Sequence, residues 1–434
     1  MRILFVTVGG SPQPIVTAIQ SLGPGRVIFV CSGGPKGSLS QVVGEGTPCE
    51  VRRGSEVEKL PNIPTQANLG ARFNPATDVI ELRDPDDLPG CYRQIGAVMA
   101  DLGGQEVMAD YTGGTKTMSV ALALAALEYG AELVLTTGNR TDLIRVKQGE
   151  MTQAVDSAPI LVQRALEKEI PNHLEQYNYG AVLVKLRQLV MLKLPQQQRR
   201  RVLELSDLCH GFETWDRFDH VQAFSYLRNY LDRKEICKQG LFLKRVIHSR
   251  SLLDPEIDPS LGTPGHGFEV IQDLLLNAER RAQQKRYDDA LGRIYRALEL
   301  LAQVRLKQAY AIDTGDLSLD KLPPSLQPAY QAKRNDKGKI QLGLMQSFHL
   351  LSEWNGDPLG EHFGVWRSRI QDTLQLRNYS LLAHGFRPVT EQDYNNQVVP
   401  NLVTFVKQAL EILIPEKSKK DPLALNPLQM PQKL

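Results

Sequence analysis

Two short stretches of the chain carry residue types and spacings suited to chemistry. The first is Asp110-Tyr-Thr-Gly-Gly-Thr-Lys-Thr-Met118. Gly113 and Gly114 would let the backbone approach a ligand closely. Thr112 and Thr115 offer hydroxyl donors. Lys116 brings charge to a helix start, where free amides already favour anions. The second is Leu376-Arg-Asn-Tyr-Ser-Leu-Leu-Ala-His-Gly385. Its arginine and histidine stand seven positions apart, which on a continuous helix places them on nearly one face. Arg377 supplies a fork of donors matched to phosphate. His384 supplies proton transfer near neutral pH. Asn378 is placed to bind phosphate or to orient the imidazole. On this spacing Gly385 is the glycine that ends the helix, His384 sits at its last turn, and Leu374, Leu381 and Leu382 point into a core.

The second set suits RNA cleavage without a metal. The 2′-OH of the substrate is the nucleophile, a base takes its proton, an acid protonates the leaving 5′-oxygen, and a cation stabilises the charged phosphorane. One chain offers one arginine and one histidine, so a full complement calls for two copies across a symmetric interface. Taken alone, turn glycines with a surface lysine would also account for the first stretch, and a solvated arginine with a capping histidine for the second.

The first stretch needs a sheet edge to position it. Strand signals lie at 2–8, 26–31, 79–82, 106–111 and 132–137, with helical signals at 15–22, 86–102 and 116–129 between them. Continuous apolar strands alternating with helices predict a parallel, Rossmann-like sheet covered on both faces. Residues 142–146 would add a hairpin strand. Ligands bind such sheets at the carboxyl edge. Three loops fall there: Gly9, Gly10, Ser11 and Gln13 after the first strand, Ser32 after the second, and Thr112 to Lys116. Together they predict a nucleotide platform. It is neither a GxxxxGK[ST] loop nor a GxGxxG fingerprint, because Thr115 separates Gly114 from Lys116 and Gly9-Gly10 lacks the third glycine. The helix over 118–127 is apolar nearly all round and is expected to be buried, first within its own domain and otherwise in part against a second subunit.

Beyond residue 160 strand signals vanish. Helical periodicity covers 160–194, 199–208, 221–233 and 269–310, with later helices around 343–351, 366–384 and 393–413. A Pro/Gly-rich stretch at 254–267 divides two helical blocks. The expected organisation is a sheet domain over 1–155, a helical connector over 156–265, an all-helical domain over 266–415, and a Lys/Pro-rich disordered tail over 416–434. Arg199 to Arg201 read as a solvated helix face; Arg280, Arg281, Lys285 and Arg286 form a denser basic stretch that reads first as an exposed helix and otherwise as a stretch that touches RNA. The three tryptophans read as packing residues.

Composition narrows the classes. The 434 residues carry a net charge of +2, which argues against coating nucleic acid by bulk charge. With 42% hydrophobic residues the chain can bury real cores. No apolar run is long enough to cross a membrane, and residues 1–10 read as a strand, not a signal peptide. The five cysteines are scattered, which points to a reducing cytoplasm. No Cys/His spacing suggests a metal site.

The motifs VTVGGSPQP at 6–14, DYTGGTKTM at 110–118 and RNYSLLAH at 377–384 occur in an order that resembles the CARF–HEPN ancillary ribonucleases of type III CRISPR systems. The resemblance covers both ends of the chain, and the middle by its helical character. The HEPN motif is an arginine and a histidine separated by four to six residues; here the spacer is six, and Asn378 matches a frequent preference. The resemblance implies a CARF sensor that binds a cyclic oligoadenylate, of four or six units, as an activator and not a cofactor. It implies a homodimer whose HEPN domains cut single-stranded RNA, leaving a 2′,3′-cyclic phosphate and a 5′-OH. The 9–11 loop and Thr112 to Lys116 would contact the ring, and Arg377 and His384 would cut. Whether the CARF domain also degrades its activator stays open. The alternative is a CARF-type sensor that regulates transcription, or a scaffold with an inactive HEPN domain.

Overall fold

The computed structural model describes residues 1–53, 56–137, 151–155, 157–192 and 194–434. The chain divides into two units, Met1–Arg164 and Ala165–Leu434.

The first unit is built on β1 (Arg2–Thr7), β2 (Arg26–Ser32), a hairpin of β3 (Cys49–Arg53) and β4 (Glu56–Leu60), then β5 (Val79–Leu82), β6 (Glu106–Asp110), β7 (Glu132–Thr137) and β8 (Met151–Val155). The main sheet runs β5-β2-β1-β6-β7-β8. Its first five strands are parallel, as the alternating pattern predicts, and β8 closes the edge antiparallel to β7. The region 142–146, expected to add a strand, lies outside the described residues. The hairpin β3–β4 has no counterpart in the sequence reading, because its alternating charged residues resemble a polar loop. Side chains alternate between two cores. Ile3, Phe5, Ile28 and Val30 pack with Ile95, Met118 and Leu122, whereas Leu4, Val6, Val27 and Phe29 pack with Ile15 and Ile19. Burial on both faces is why these strands read as unbroken apolar runs. The helix Lys116–Tyr129 departs from expectation: Met118, Ala121, Leu122 and Ala125 are buried, but Val120 and Leu124 are exposed.

The second unit is helical. Its longer helices are Tyr179–Val190, Gln196–Asp216, Lys234–Ser251, Glu269–Gln283, Tyr287–Tyr310 and Pro358–Tyr379. The segment read as continuous helical periodicity over 269–310 is a hairpin. It turns at Lys285, which takes a left-handed φ of 60°.

Two expectations are corrected here. Arg280 and Arg281 do not lie on a solvated face. Both are buried, and both pair with Asp216 of the helix Gln196–Asp216. The tail 416–434 is not disordered. Leu423, Ala424 and Met430 are buried. Gln272 donates to the Ala424 carbonyl at 2.6 Å, and the Tyr179 hydroxyl donates to the Pro431 carbonyl at 2.7 Å. Lysine and proline content suggested disorder. The tail instead forms a short helix, Glu416–Lys419, followed by turns, and neighbouring helices take up its few apolar side chains and carbonyls.

Candidate functional site

At the first site, β1 has β2 on one side and β6 on the other, so the loops after β1 and β6 flank the point where strand order reverses. That is where open α/β sheets bind ligands. The two loops touch backbone to backbone. A Cβ added at Gly9 would lie 2.7 Å from the Gly114 nitrogen, and one at Gly113 would lie 2.4 Å from the Thr7 carbonyl oxygen. Gly114 also needs its positive φ of 79°. The glycines thus serve loop-to-loop packing first. The Thr7 hydroxyl donates to the Gly113 carbonyl at 2.7 Å, and Gln41, which no sequence signal marked, donates to the Gly9 carbonyl at 2.7 Å.

The hydroxyls expected to face a ligand are largely engaged inside the platform. Thr112 Oγ1 accepts from the Thr136 amide at 2.8 Å. Thr115 Oγ1 donates to the Pro85 carbonyl at 3.0 Å and caps the following helix by accepting from the Met118 amide at 3.2 Å. Ser32 Oγ accepts from the Ser38 amide at 2.9 Å. Beneath them Asp110 is buried, accepting from the Thr112 amide at 2.9 Å and from the Thr136 hydroxyl at 2.8 Å. Burial pushes its carboxyl above the usual range, and the bonds from Thr112 and Thr136 oppose that rise. What remains exposed on the platform is Gly10, Ser11, Gln13 and Lys116. A lysine at the first residue of a helix opposes the dipole. An anion bound there would complement its charge. Among the described residues of these loops Lys116 is an exposed cation, suited to a phosphate-bearing ligand.

The second site differs from its helical projection. The helix carrying Arg377 stops at Tyr379, and Ser380 is extended with ψ 151°. Residues 381–385 form turns closed by amides of Ala383 and Gly385 on the Ser380 carbonyl, each at 3.0 Å, and of Arg387 on the Tyr379 carbonyl at 3.1 Å. His384 is therefore in a turn folded back on the helix end, exposed, and not one face along from Arg377. The physical reason is Gly385. Its backbone lies so close to Tyr379 that a Cβ would fall 2.0 Å from the Tyr379 carbonyl oxygen. The glycine closes the turn; it does not cap the helix. Leu381 and Leu382, expected in a core, are instead 66% and 67% exposed, and Phe386 is 92% exposed.

Arg377 is half-buried, its guanidinium 4.6 Å above the ring of Tyr295, a residue of the helix Tyr287–Tyr310. Cation–π contact fixes the fork while leaving its N–H groups available. Sequence alone offered no signal for Tyr295. Among the described residues no side-chain hydrogen bond joins Arg377, Asn378 and His384 to one another. Asn378 is exposed and lines a cavity of about 600 Å³ with Tyr295, Gln371 and Gln375. The arrangement presents a fixed cation, a solvent-accessible imidazole and an amide-lined hollow side by side in the sequence. Among the described residues no cluster of His, Cys, Asp and Glu has the makings of a metal site.

Residues 263–409, which include Arg377 and His384, match the family model of the Csm6 HEPN domain. Among solved structures the chain is similar to Enterococcus italicus Csm6 bound to cyclic hexa-2′-fluoro-hexa-dAMP. The identity is 15%, covering 99% of this chain and 100% of that one, with a TM-score of 0.52. At that identity the likeness is one of fold. No curated protein matches the chain.

Proposed function

We propose that this Csm6-like chain, a CARF–HEPN protein by its architecture, is a ribonuclease switched on by a cyclic oligoadenylate. The observation that carries the reading is that Arg377, Asn378 and His384 fall inside the segment matching the Csm6 HEPN domain. The platform at the sheet edge supports the sensor half. Lys116 and the exposed 10–13 loop suit a ring of phosphates, and the neighbour of similar fold was captured with such a ring.

In the proposed mechanism His384 moves the proton, as base on the 2′-OH or as acid on the 5′-oxygen, and Arg377 steadies the phosphorane. The products are a 2′,3′-cyclic phosphate and a 5′-OH, and no metal takes part. The second proton-transfer group comes from a second copy of the chain. Leu381, Leu382 and Phe386 support that pairing. An exposed apolar turn carrying the catalytic histidine is covered when two such turns meet across a two-fold axis. All five cysteines are free, four of them buried, which supports a reducing cytoplasm. No helix among the described residues is long and apolar enough to cross a membrane.

The test uses the full chain, a fluorogenic single-stranded RNA and EDTA, with and without cyclic tetra- and hexa-adenylate. The expected result is cleavage that needs the activator and survives EDTA. His384→Ala should lose about 10²–10⁴ of the rate with its melting point unchanged. Retention of more than about a tenth of the rate in His384→Ala would place the chemistry elsewhere, since a general acid or base is worth more than that.

A further inference from the structure

Away from Arg377 and His384, the helical unit contains two neighbouring cavities that no part of the mechanism uses. One, of about 750 Å³, is lined by Arg250, Arg296, Lys307 and an apolar floor that includes Val270, Leu274 and Leu300. The other, of about 840 Å³, is lined by Arg217, Arg281, Lys285 and Arg286. Phe218 and Arg293 line both. Eight cationic side chains and four carboxylates border the pair, a local excess larger than the net +2 of the whole chain.

The turns that shape the second cavity share an unusual device. Tyr177, Phe218 and Lys285 each follow a helix in the left-handed conformation, at φ of 53°, 66° and 60°, and each is followed two residues later by the next helix. Glycine is the ordinary residue at such positions. Tyr177 is buried, so packing accounts for its side chain. Phe218 is half-buried at the junction of the cavities, one edge against the His220 ring at 6.1 Å between centroids and the rest of its side chain open, and Lys285 is exposed, so burial accounts fully for neither. Non-glycine residues held in this region cluster where function requires them.

The polar groups behind the cavities are built to hold cations in place. Arg250 donates to the Phe218 carbonyl at 2.9 Å and to His220 Nδ1 at 2.8 Å. An arginine cannot accept, so Nδ1 accepts and Nε2 donates to Asp273, 2.9 Å away. Asp273 in turn accepts from the Trp215 indole at 2.9 Å. Arg293 is held by Asn277 and Asp289. Buried Arg281 pairs with Asp216 yet leaves its Nε without a partner. The pairs Arg296–Glu299 and Arg286–Asp289 have exposed arginines, and pairs of this kind contribute little stability, so a phosphate can compete for the cation.

We propose that the two cavities form one groove that binds a stretch of single-stranded RNA away from the cleavage residues, with Phe218 as a stacking face and Arg217, Lys285 and Arg296 as phosphate partners; this rests on the ribonuclease reading. An aromatic face set in a basic track is how single strands are held without sequence preference. Volume agrees, since each cavity is large enough for a nucleotide. The open surface at Gly292, where an added Cβ would meet nothing within 4 Å, leaves room for a backbone to lie against the helix. The helix Tyr287–Tyr310 forms one wall through Arg293 and Arg296 and also carries Tyr295, which holds Arg377. One helix thus both borders the groove and holds the candidate cleavage residue in place. Its role is to tether a long substrate.

The left-handed turns supply well-behaved test variants. Phe218→Gly and Lys285→Gly remove the side chain at positions whose backbone suits glycine, so both should fold. The full chain is assayed with activator on a long single-stranded RNA and on a trinucleotide. The expected result is a rise in KM for the long RNA, roughly fivefold to a hundredfold for Phe218→Gly, the range for one lost base stack. The KM for the trinucleotide and kcat for both substrates should not move. For Arg217→Gln combined with Lys285→Gly, the slope of log KM against log salt should fall by about 1 to 2, as for lost phosphate contacts on a single strand. An unchanged KM for the long RNA in both variants overturns the groove, as does an equal rise for both substrates, which would mark a structural effect on the cleavage site. If the wild-type chain cuts nothing, the ribonuclease reading fails separately. Anisotropy with a 2′-O-methyl RNA then decides the groove: weaker binding in Phe218→Gly and Lys285→Gly supports it, and equal binding overturns it.

Discussion

Substituting Gly385 probes the turn that carries His384. A Cβ there would lie 2.0 Å from the carbonyl oxygen and 2.2 Å from the carbonyl carbon of Tyr379. These are backbone atoms at a helix end and cannot swing aside, so Gly385→Ala must open the turn. Closure rests on three backbone bonds: from Ala383 and Gly385 to the Ser380 carbonyl, and from Arg387 to the Tyr379 carbonyl. Each is worth about 0.5–1.5 kcal/mol net, so opening forfeits about 1.5–4.5 kcal/mol of local closure. The equilibrium constant for closure then falls about tenfold to two-thousandfold, and the closed population of a marginally closed turn falls with it. If His384 works only from the closed turn, the cleavage rate falls by the same factor, up to the full worth of the histidine, about 10²–10⁴. The turn is exposed, so the melting point should barely change. Gly364→Ala is the control. It lies exposed in the helix that carries Arg377, its added Cβ meets nothing within 4 Å, and it should keep full activity. Alanine in a helix interior should add about 0.5–1 kcal/mol of stability. The assay is initial cleavage rate at saturating activator, with a thermal melt for each variant. Gly385→Ala cutting at more than about a third of the wild-type rate, while His384→Ala is inactive, would refute the argument that the closed turn positions the imidazole, because the loss expected from broken closure is at least about tenfold.

Three other outcomes follow from the same structure. Lys116→Ala should weaken activator binding about tenfold to a hundredfold by calorimetry, the worth of one charge-assisted bond, without lowering the melting point. Met430→Ala should destabilise the helical unit by about 2–5 kcal/mol in a denaturant melt, because the residue is buried; a disordered tail would give no change. Asp110 has a carboxyl raised by burial, so the stability it favours is full at low pH and is lost as pH rises through the folded-state value. Asp110→Asn should therefore flatten the fall in stability of the sheet unit from the carboxylate range upward, and an unchanged pH profile would show that Asp110 does not titrate as its burial implies.

The outline of the first site was legible in sequence. Unbroken apolar strands separated by helices name a covered parallel sheet, and such a sheet has one edge where its small, polar loops gather. Residue type alone also marked Lys116, Arg377, Asn378 and His384, since few side chains deliver a fixed cation, an anion partner and a proton shuttle near neutral pH. The position of the Arg377 and His384 motif within a helical region was legible from periodicity as well.

What sequence could not decide was how each of those residues is used, because that depends on atoms distant in the chain. Periodicity counts residues as though a helix continued. The helix carrying Arg377 ends at Tyr379 because Gly385 folds back onto it, and that closure turns His384 and its apolar neighbours outward. Glycines near a ligand loop suggest room for a ligand, yet Gly9 and Gly113 are needed where two loops from different strands touch. A run of basic residues reads as solvated until Asp216, on another helix, buries Arg280 and Arg281. A tail of lysine and proline reads as disordered until other helices supply the hollows and donors that its few apolar side chains and carbonyls require. Local pattern encodes which elements form and which chemistry is present. Contacts across long sequence separations fix where each side chain points, because only the folded chain brings those partners within bonding distance.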